Sequence, residues 1–360
     1  MQTFQIKENQ AGQRLDKFLH KFMPEAGTGF LYKMLRKKNI VLNGKKAEGK
    51  EMLAVGDTVS FFFSDETFFK FTGKSTNGAD KSNIAYREAY KALKGLAVLY
   101  EDDHILVLNK PAGILTQKDD SGLFSANEWM IGYLLESGKI TEETLKTYKP
   151  SVQNRLDRNT SGIVLCGISL AGSQLLARLI HDRSVRKYYY TIVKGNGLEE
   201  TKLEGYLVKD NKTNSVRISD KKEDESSAIR TYYKPVTTGT VCFEESGMEK
   251  NAKAYLKKKS GMDITLLEVE LITGKTHQIR AHMASTGHPV LGDYKYGDRQ
   301  FNAAFKKKYG IDSQLLHAAR IEFPGLEEPF TQLSNKVFTA DLPNVFEEVL
   351  KDGNMEFQRS

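Results

Sequence analysis

From Leu96 onward, short apolar runs rich in β-branched and aromatic residues follow one another without a regular helical partner between them. They are Ala97-Val98-Leu99-Tyr100, Ile105 to Leu108, Ile163 to Cys166, Tyr188 to Val193, Ile229 to Tyr233 and Ile264 to Leu271. Runs of this length and composition predict strands. Helical spacing appears at Leu175, Leu176, Leu179 and Ile180, and again around Ile279 and Met283. Strands that outnumber helices and do not alternate with them exclude a doubly wound fold. They predict an α+β domain on a mixed, mostly antiparallel sheet. The stretch from about Leu198 to Gly261, with Lys221 to Glu225 and Lys257 to Lys259, reads as exposed hairpins and loops.

The N-terminus has a different character. Of the chain's net charge of +7, residues 1–63 carry five, from eleven Lys and Arg against six Asp and Glu. Leu15, Phe18, Leu19 and Phe22 recur at helical spacing, and Leu31, Met34 and Leu35 repeat its start, so two short amphipathic helices are predicted. Pro24 and Gly27 separate them. After Leu35-Arg36-Lys37-Lys38 come Ile40-Val41-Leu42, an Asn43-Gly44 hairpin signal and a return ending at Val59 to Phe63. The expectation is a helix pair on a small sheet over 1–63. Residues 64–95 read as a polar linker with a helical run near Tyr86 to Leu93, and a second domain spans 96–360. A length of 360 residues accommodates both.

Composition removes several classes. Charged residues at 28% with 39% hydrophobic exclude general disorder. Two cysteines, Cys166 and Cys242, are too few for a disulfide framework, and no C-x-x-C spacing points to zinc or redox work. No run of about 18 apolar residues suggests a membrane helix, and the opening residues resemble no export signal. These features predict a cytoplasmic protein with reduced thiols and no membrane association.

Three polar blocks lie at the ends of strand-like runs, where sites are commonly built. The first runs from Asp102 through Asn109-Lys110-Pro111-Ala112-Gly113. The second is Asn154-Arg155-Leu156-Asp157-Arg158-Asn159-Thr160-Ser161-Gly162. The third is Thr273-Gly274-Lys275-Thr276-His277-Gln278-Ile279-Arg280-Ala281-His282, followed by Gly287 to Asp293. Gly274-Lys275-Thr276 is not a phosphate-binding P-loop, because Val269 stands where the pattern requires glycine. His277, His282 and His288 lack a carboxylate to complete a metal set and read as hydrogen-bonding residues. Arg-Leu-Asp occurs twice. In the first copy Asp16 reads as a solvated carboxylate or a first-turn one that favours the helix dipole. Taken alone, Asp157 reads more readily as a turn or N-cap aspartate than as a catalytic group. Tyr189 points away from Tyr188 and Tyr190 on a strand, which leaves those two as packing residues, and Cys166 reads as a core thiol.

Residues 1–63 resemble an S4-type RNA-binding module, on the strength of Arg14-Leu15-Asp16, Leu35 to Lys38, Ile40 to Gly44 and Leu53 to Val59. The resemblance implies that Lys33, Arg36, Lys37, Lys38, Lys45 and Lys46 meet RNA phosphates. Charge alone does not separate this from an ordinary solvated face. The three blocks, with Lys187-Tyr188-Tyr189, resemble the RluA-type pseudouridine synthases over nearly the whole chain. Two positions depart: Asn154 stands where that family most often has His, and Lys275 stands for Arg. The resemblance implies a mixed sheet of pseudouridine synthase type and the isomerisation of uridine in RNA, with large-subunit (23S) ribosomal RNA as partner. It implies no cofactor and no metal, and a monomer without protein partners is the default expectation. Asp157 is then the catalytic carboxylate, Tyr189 the active-site tyrosine and Arg280 the cation paired with Asp157. Arg155, Arg158, Lys110, Lys187 and Lys275 become candidates for phosphate or loop contacts. A catalytically idle RNA-binding or ribosome-assembly factor is the alternative.

Overall fold

The computed structural model describes residues 1–72, 81–210, 215–243 and 260–357. The chain forms two compact units, Met1–Val107 with Thr116–Arg155 and Val164–Arg178, and Leu108–Leu115 with Leu156–Ile163 and Leu179–Ser360.

The first unit contains β1 (Gln2–Gln5), α1 (Leu15–Phe22), α2 (Thr28–Arg36), β2 (Ile40–Leu42), β3 (Lys45–Lys46), β4 (Thr58–Phe61), α3 (Asp65–Thr72) and α4 (Lys81–Ala92). It continues through β5 (Ala97–Glu101), β6 (Ile105–Lys110), α5 (Ala126–Glu136), α6 (Glu142–Thr147), β7 (Ser151–Val152), β8 (Ser161–Gly167) and α7 (Leu170–His181), although the C-terminal end of β6, the start of β8 and the end of α7 belong to the second. The predicted helix pair is present, and Leu15, Phe18, Leu19, Leu31 and Leu35 are all buried. They pack on a sheet of order β1-β4-β2-β3. Asn43 and Gly44 both take left-handed φ, 49° and 71°, as a two-residue hairpin demands.

Three readings of this region change. The return after the hairpin is only Lys45–Lys46, because the Glu51 carboxylate then takes the backbone N–H groups of Glu48 and Gly49 and turns the chain out of the ladder. β4 is instead a separate central strand, paired with β2 and with the unforeseen β1. The expected linker holds α3, whose Phe68 is buried edge-on to Phe61 at 5.5 Å. Phe68 and Phe71 lie one helical turn apart, so this segment has an apolar face of its own. Its polar stretch 73–80 lies outside the described residues, as do Lys257 to Lys259. Asp16 is not solvated, since it accepts from Arg14 (2.6 Å), the Tyr32 hydroxyl (2.9 Å) and the Lys17 N–H (2.8 Å). Burial opposes its ionisation, but the Tyr32 and Arg14 donors prevail and hold the carboxyl below its usual range.

The second unit adds β9 (Arg186–Lys194), β10 (Thr201–Asp210), β11 (Ser215–Ser219), β12 (Ser227–Phe243), β13 (Ser260–Leu271), α8 (Gln278–Ser285), α9 (Arg299–Tyr309), β14 (Leu316–Glu322), β15 (Val337–Thr339) and α10 (Asn344–Asp352). Strand order is β11-β10-β12-β13-β9-β14-β8, with β15 on β14. The β14–β8 pair is parallel, and the pairs β11–β10, β10–β12, β12–β13, β13–β9 and β9–β14 are antiparallel. This is the α+β class that the strand spacing predicted. Of the stretch expected to be hairpins and loops, the described part holds the antiparallel pair β10–β11 and the long strand β12, and residues 211–214 and 244–259 lie outside the described residues. In β12, buried Ile229, Thr231 and Tyr233 alternate with exposed or half-buried neighbours, so one face packs while the other stays polar. Phe301 and Phe305 of α9 and Phe346 and Val349 of α10 share a core with Ile192, Val241, Ile264 and Leu266.

Candidate active site

Asp157 lies in the loop that enters β8, and sheet register decides what it meets. Ala318 of β14 stands opposite Gly162 of β8 on one side and opposite Tyr189 of β9 on the other. The glycine is required at this crossing. Its φ is 110°, and a Cβ there would lie 2.2 Å from the Ala318 carbonyl oxygen. The Asp157 loop is tied down from the first polar block. Lys110 is fully buried, and its ammonium donates to the carbonyls of Pro111 (3.1 Å), Ile114 (2.8 Å) and Arg158 (3.0 Å). Gly113 N–H donates to the Arg158 carbonyl at 3.0 Å, and Arg158 Nε returns a bond to the Gly113 carbonyl at 3.1 Å. Burial lowers the Lys110 pKa to about 7, against the pull of the Asp157 charge. The expectation of a phosphate contact from Lys110 is therefore corrected: its three N–H groups are spent on backbone carbonyls inside the fold.

The third block supplies the cation. Gln278 holds its turn by accepting from the Thr273 hydroxyl (2.9 Å) and the Lys275 N–H (3.2 Å) and by donating to the Arg230 carbonyl and the Thr231 hydroxyl (2.9 Å each). Two residues later Arg280, itself buried, donates Nη1 to Asp157 Oδ2 at 3.1 Å. The rest of its fork grips Asp293, Nε to Oδ2 at 2.8 Å and Nη2 to Oδ1 at 3.0 Å. Asp293 is 1% exposed and also accepts from the N–H groups of Lys295 and Tyr296. Burial alone would push its carboxyl up, but the Arg280 fork and those N–H groups prevail and hold it low. Arg280 is likewise held above its ordinary value, burial being outweighed by Asp293 and then Asp157. One guanidinium thus joins a buried structural carboxylate to Asp157, whose side chain remains 27% exposed.

Tyr189 is buried, and burial followed by the Asp157 charge raises its phenol well above the ordinary range. It therefore stays neutral near pH 7. Its neighbours pack as expected: Tyr188 lies under the Arg320 guanidinium at 3.9 Å, and the Tyr190 hydroxyl donates to Glu268 at 3.3 Å. His277 Nε2 comes within 3.7 Å of Asp157 Oδ2 while Nδ1 meets the Tyr296 hydroxyl at 2.8 Å. His282 bonds the Thr231 hydroxyl and His288 the Lys194 carbonyl. Asn154 accepts from the Leu165 N–H at 2.7 Å, so the amide that replaces the expected imidazole ties the segment before β8 to the strand itself.

Among the remaining residues singled out from sequence, Arg155, Arg158 and Lys275 are exposed and Lys187 is half-buried, its pKa lowered by that burial. Lys33, Arg36, Lys37 and Lys38 at the end of α2, and Lys45 and Lys46 on β3, are all exposed, and they belong to the first unit. Sequence reasoning missed Asp293 and Tyr296. Asp293 closes the Val290-Leu291-Gly292-Asp293 run, which was quoted without a role, and Tyr296 follows three residues later with no pattern to mark it.

Known proteins resemble this chain in sequence and in fold. Residues 104–285 match the RNA pseudouridylate synthase family. Ribosomal large subunit pseudouridine synthase C of Vibrio cholerae is 30% identical over 90% of this chain and 89% of its own. The protein of that name from Vibrio vulnificus is 29% identical over 91% of each. The solved structure of human RNA Pseudouridylate Synthase Domain Containing 4 shares the fold, with a TM-score of 0.55 over 78% of this chain and 99% of that one, at 18% identity. As the three polar blocks implied, this chain belongs to the RNA pseudouridylate synthase family, enzymes that isomerise uridine in RNA.

Proposed function

We propose that this protein converts uridine to pseudouridine in large-subunit (23S) ribosomal RNA, with Asp157, Tyr189 and Arg280 as its catalytic set. The observation that carries the assignment is Asp157 itself, a partly open carboxylate held at 3.1 Å by an arginine that a second, buried carboxylate fixes in place. The reaction breaks the bond from uracil N1 to C1′, turns the base and joins C5 to C1′. N1 gains a proton and C5 loses one, so no redox partner or energy source is consumed. Asp157 serves as the carboxylate beside the ribose, by adding to C1′ or by taking the C2′ proton, and Arg280 pairs with it and aims it. Tyr189, neutral and buried, offers a flat ring for the detached uracil to lie against.

The target nucleotide has to leave its stack, which costs a few kcal/mol that backbone contacts offset. The basic residues of segment 1–63, read as an S4-like module, would supply such contacts together with Arg155, Arg158 and Lys275. Among the described residues no helix is long and apolar enough to cross a membrane, and the proposal takes the enzyme as a cytoplasmic monomer without a cofactor.

The test is tritium release from ribosomal RNA labelled at uracil C5, comparing the wild type with Asp157→Asn. Release by the wild type and none by the variant is expected. Equal release from both removes Asp157 from the chemistry, and no release by the wild type leaves the idle RNA-binding factor.

A further inference from the structure

His277 has an unusual backbone and an unusual pair of neighbours. It immediately precedes α8 with φ 56° and ψ 16°, a left-handed conformation that costs a β-carbon-bearing residue on the order of 1 kcal/mol or more. The turn is kept in that shape by the four hydrogen bonds of Gln278. Its effect is to direct the imidazole edge toward Asp157, Nε2 lying 3.7 Å from Oδ2.

The contacts at the two ring nitrogens together select the tautomer. Nδ1 lies 2.8 Å from the Tyr296 hydroxyl, whose oxygen already accepts the Val216 N–H at 3.0 Å. The hydroxyl proton is free to point at Nδ1, which leaves the ring's own proton on Nε2, facing the carboxylate. The reverse tautomer would set a lone pair against a carboxylate oxygen. Tyr296 is held in turn, its N–H on Asp293 and its ring beneath the Arg280 guanidinium at 5.2 Å. Around the imidazole stand Asp157 from the loop before β8, Arg280 from α8, and Asp293, Lys295 and Tyr296 from the segment after it. Burial and the two cations outweigh the carboxylates and keep the ring neutral.

We infer that His277, its tautomer set by Tyr296, is a positioning residue that donates Nε2–H to Asp157 and so fixes, together with Arg280, which carboxylate oxygen faces the ribose. Arg280 and His277 both address Oδ2, which leaves Oδ1 as the oxygen presented to substrate. The arrangement follows the logic of a hydrogen-bonded triad, with tyrosine orienting histidine and histidine orienting the acid. At 3.7 Å the pair stands just beyond hydrogen-bond length, and the inference requires the contact to close to that length when the ribose arrives.

This inference rests on Asp157 being the reacting carboxylate, and the experiment separates the two claims. Full-length His277→Asn, His277→Gln and Tyr296→Phe are assayed for tritium release and for RNA binding beside the wild type and Asp157→Asn. Asn tolerates the left-handed backbone but is too short to reach Asp157, so kcat falls about tenfold to a hundredfold, the worth of one charge-assisted hydrogen bond, with KM and RNA affinity unchanged. Gln can place an amide N–H near the Nε2 position and recovers part of kcat. Tyr296→Phe lowers kcat in the wild-type background and changes little in the His277→Asn background, because both act through one path. Unchanged kcat in His277→Asn, or a loss that appears in KM alone, overturns the inference while Asp157→Asn stays inactive. If Asp157→Asn retains full activity, the underlying assignment fails and this inference with it.

Discussion

Replacing Arg280 with Met keeps an unbranched apolar stem and removes the charged guanidinium. The Asp293 carboxylate, 1% exposed, is then left with the N–H groups of Lys295 and Tyr296 at 2.9 and 3.1 Å. Removing one partner of a buried ion pair costs about 3 to 5 kcal/mol, and the two surviving donors place this case near 3. At 25 °C that is roughly a hundredfold in the folded-to-unfolded ratio. The sign of the pH dependence follows from Asp293. Its folded carboxyl is depressed, so the contribution of Arg280 is fully present above the unfolded aspartate value, about 3.9, and is lost as pH falls through the lower native value. In the variant the unpartnered acid takes up a proton earlier. The stability gap is therefore widest near pH 7 and narrows on acidification. Urea unfolding followed by far-ultraviolet circular dichroism, at pH 7 and near pH 4.5, measures it. Adding Asp293→Asn to Arg280→Met should recover most of the stability while tritium release stays absent, because Asp157 still lacks its cation. A single variant within about 1 kcal/mol of wild type, or a double variant no more stable than the single, would refute the claim that Asp293 depends on Arg280.

Neutralising Lys45 and Lys46 on β3 with alanine should leave the thermal melt unchanged and reduce the slope of log affinity against log salt by about 1.5 to 2, if each meets one phosphate; an unchanged slope removes β3 from the RNA contact. Gly162→Ala forces a Cβ against the Ala318 backbone at a φ of 110° and should cost about 3 kcal/mol or more, read as a lower melting temperature. A melt within a degree or two of wild type would show that β14 yields easily.

What could be read in advance depended on how local the determining contacts are. The spacing Leu15, Phe18, Leu19, Phe22 places four side chains on one helix face whatever surrounds it, and Asn43-Gly44 prefers the turn it adopts. β1 escaped because Gln2 to Gln5 contains a single apolar residue, Phe4, whose value emerges only when it meets Phe18 and Phe22 at 5.4 and 5.0 Å. For Asp16 the first-turn reading held and the solvated one did not, and for Lys110 the loop contact held and the phosphate did not, for a common reason. A charged residue in a sequence is taken as solvated, and only neighbours brought from elsewhere, Tyr32 for one and the Arg158 carbonyl for the other, make its burial affordable.

The amino acids alone determined the chemical inventory and its family: a carboxylate, a tyrosine and an arginine within three recognisable stretches, and a basic helix pair ahead of them. Folding decided the pairings, Arg280 reaching Asp157 across 123 residues, Asp293 steadying the guanidinium and His277 turned toward the same oxygen. Helical and strand periodicity is a property of neighbours along the chain. Which carboxylate stays partly open and which is sealed depends on the register of β8, β14 and β9 and on what covers them, and no spacing in the sequence encodes that.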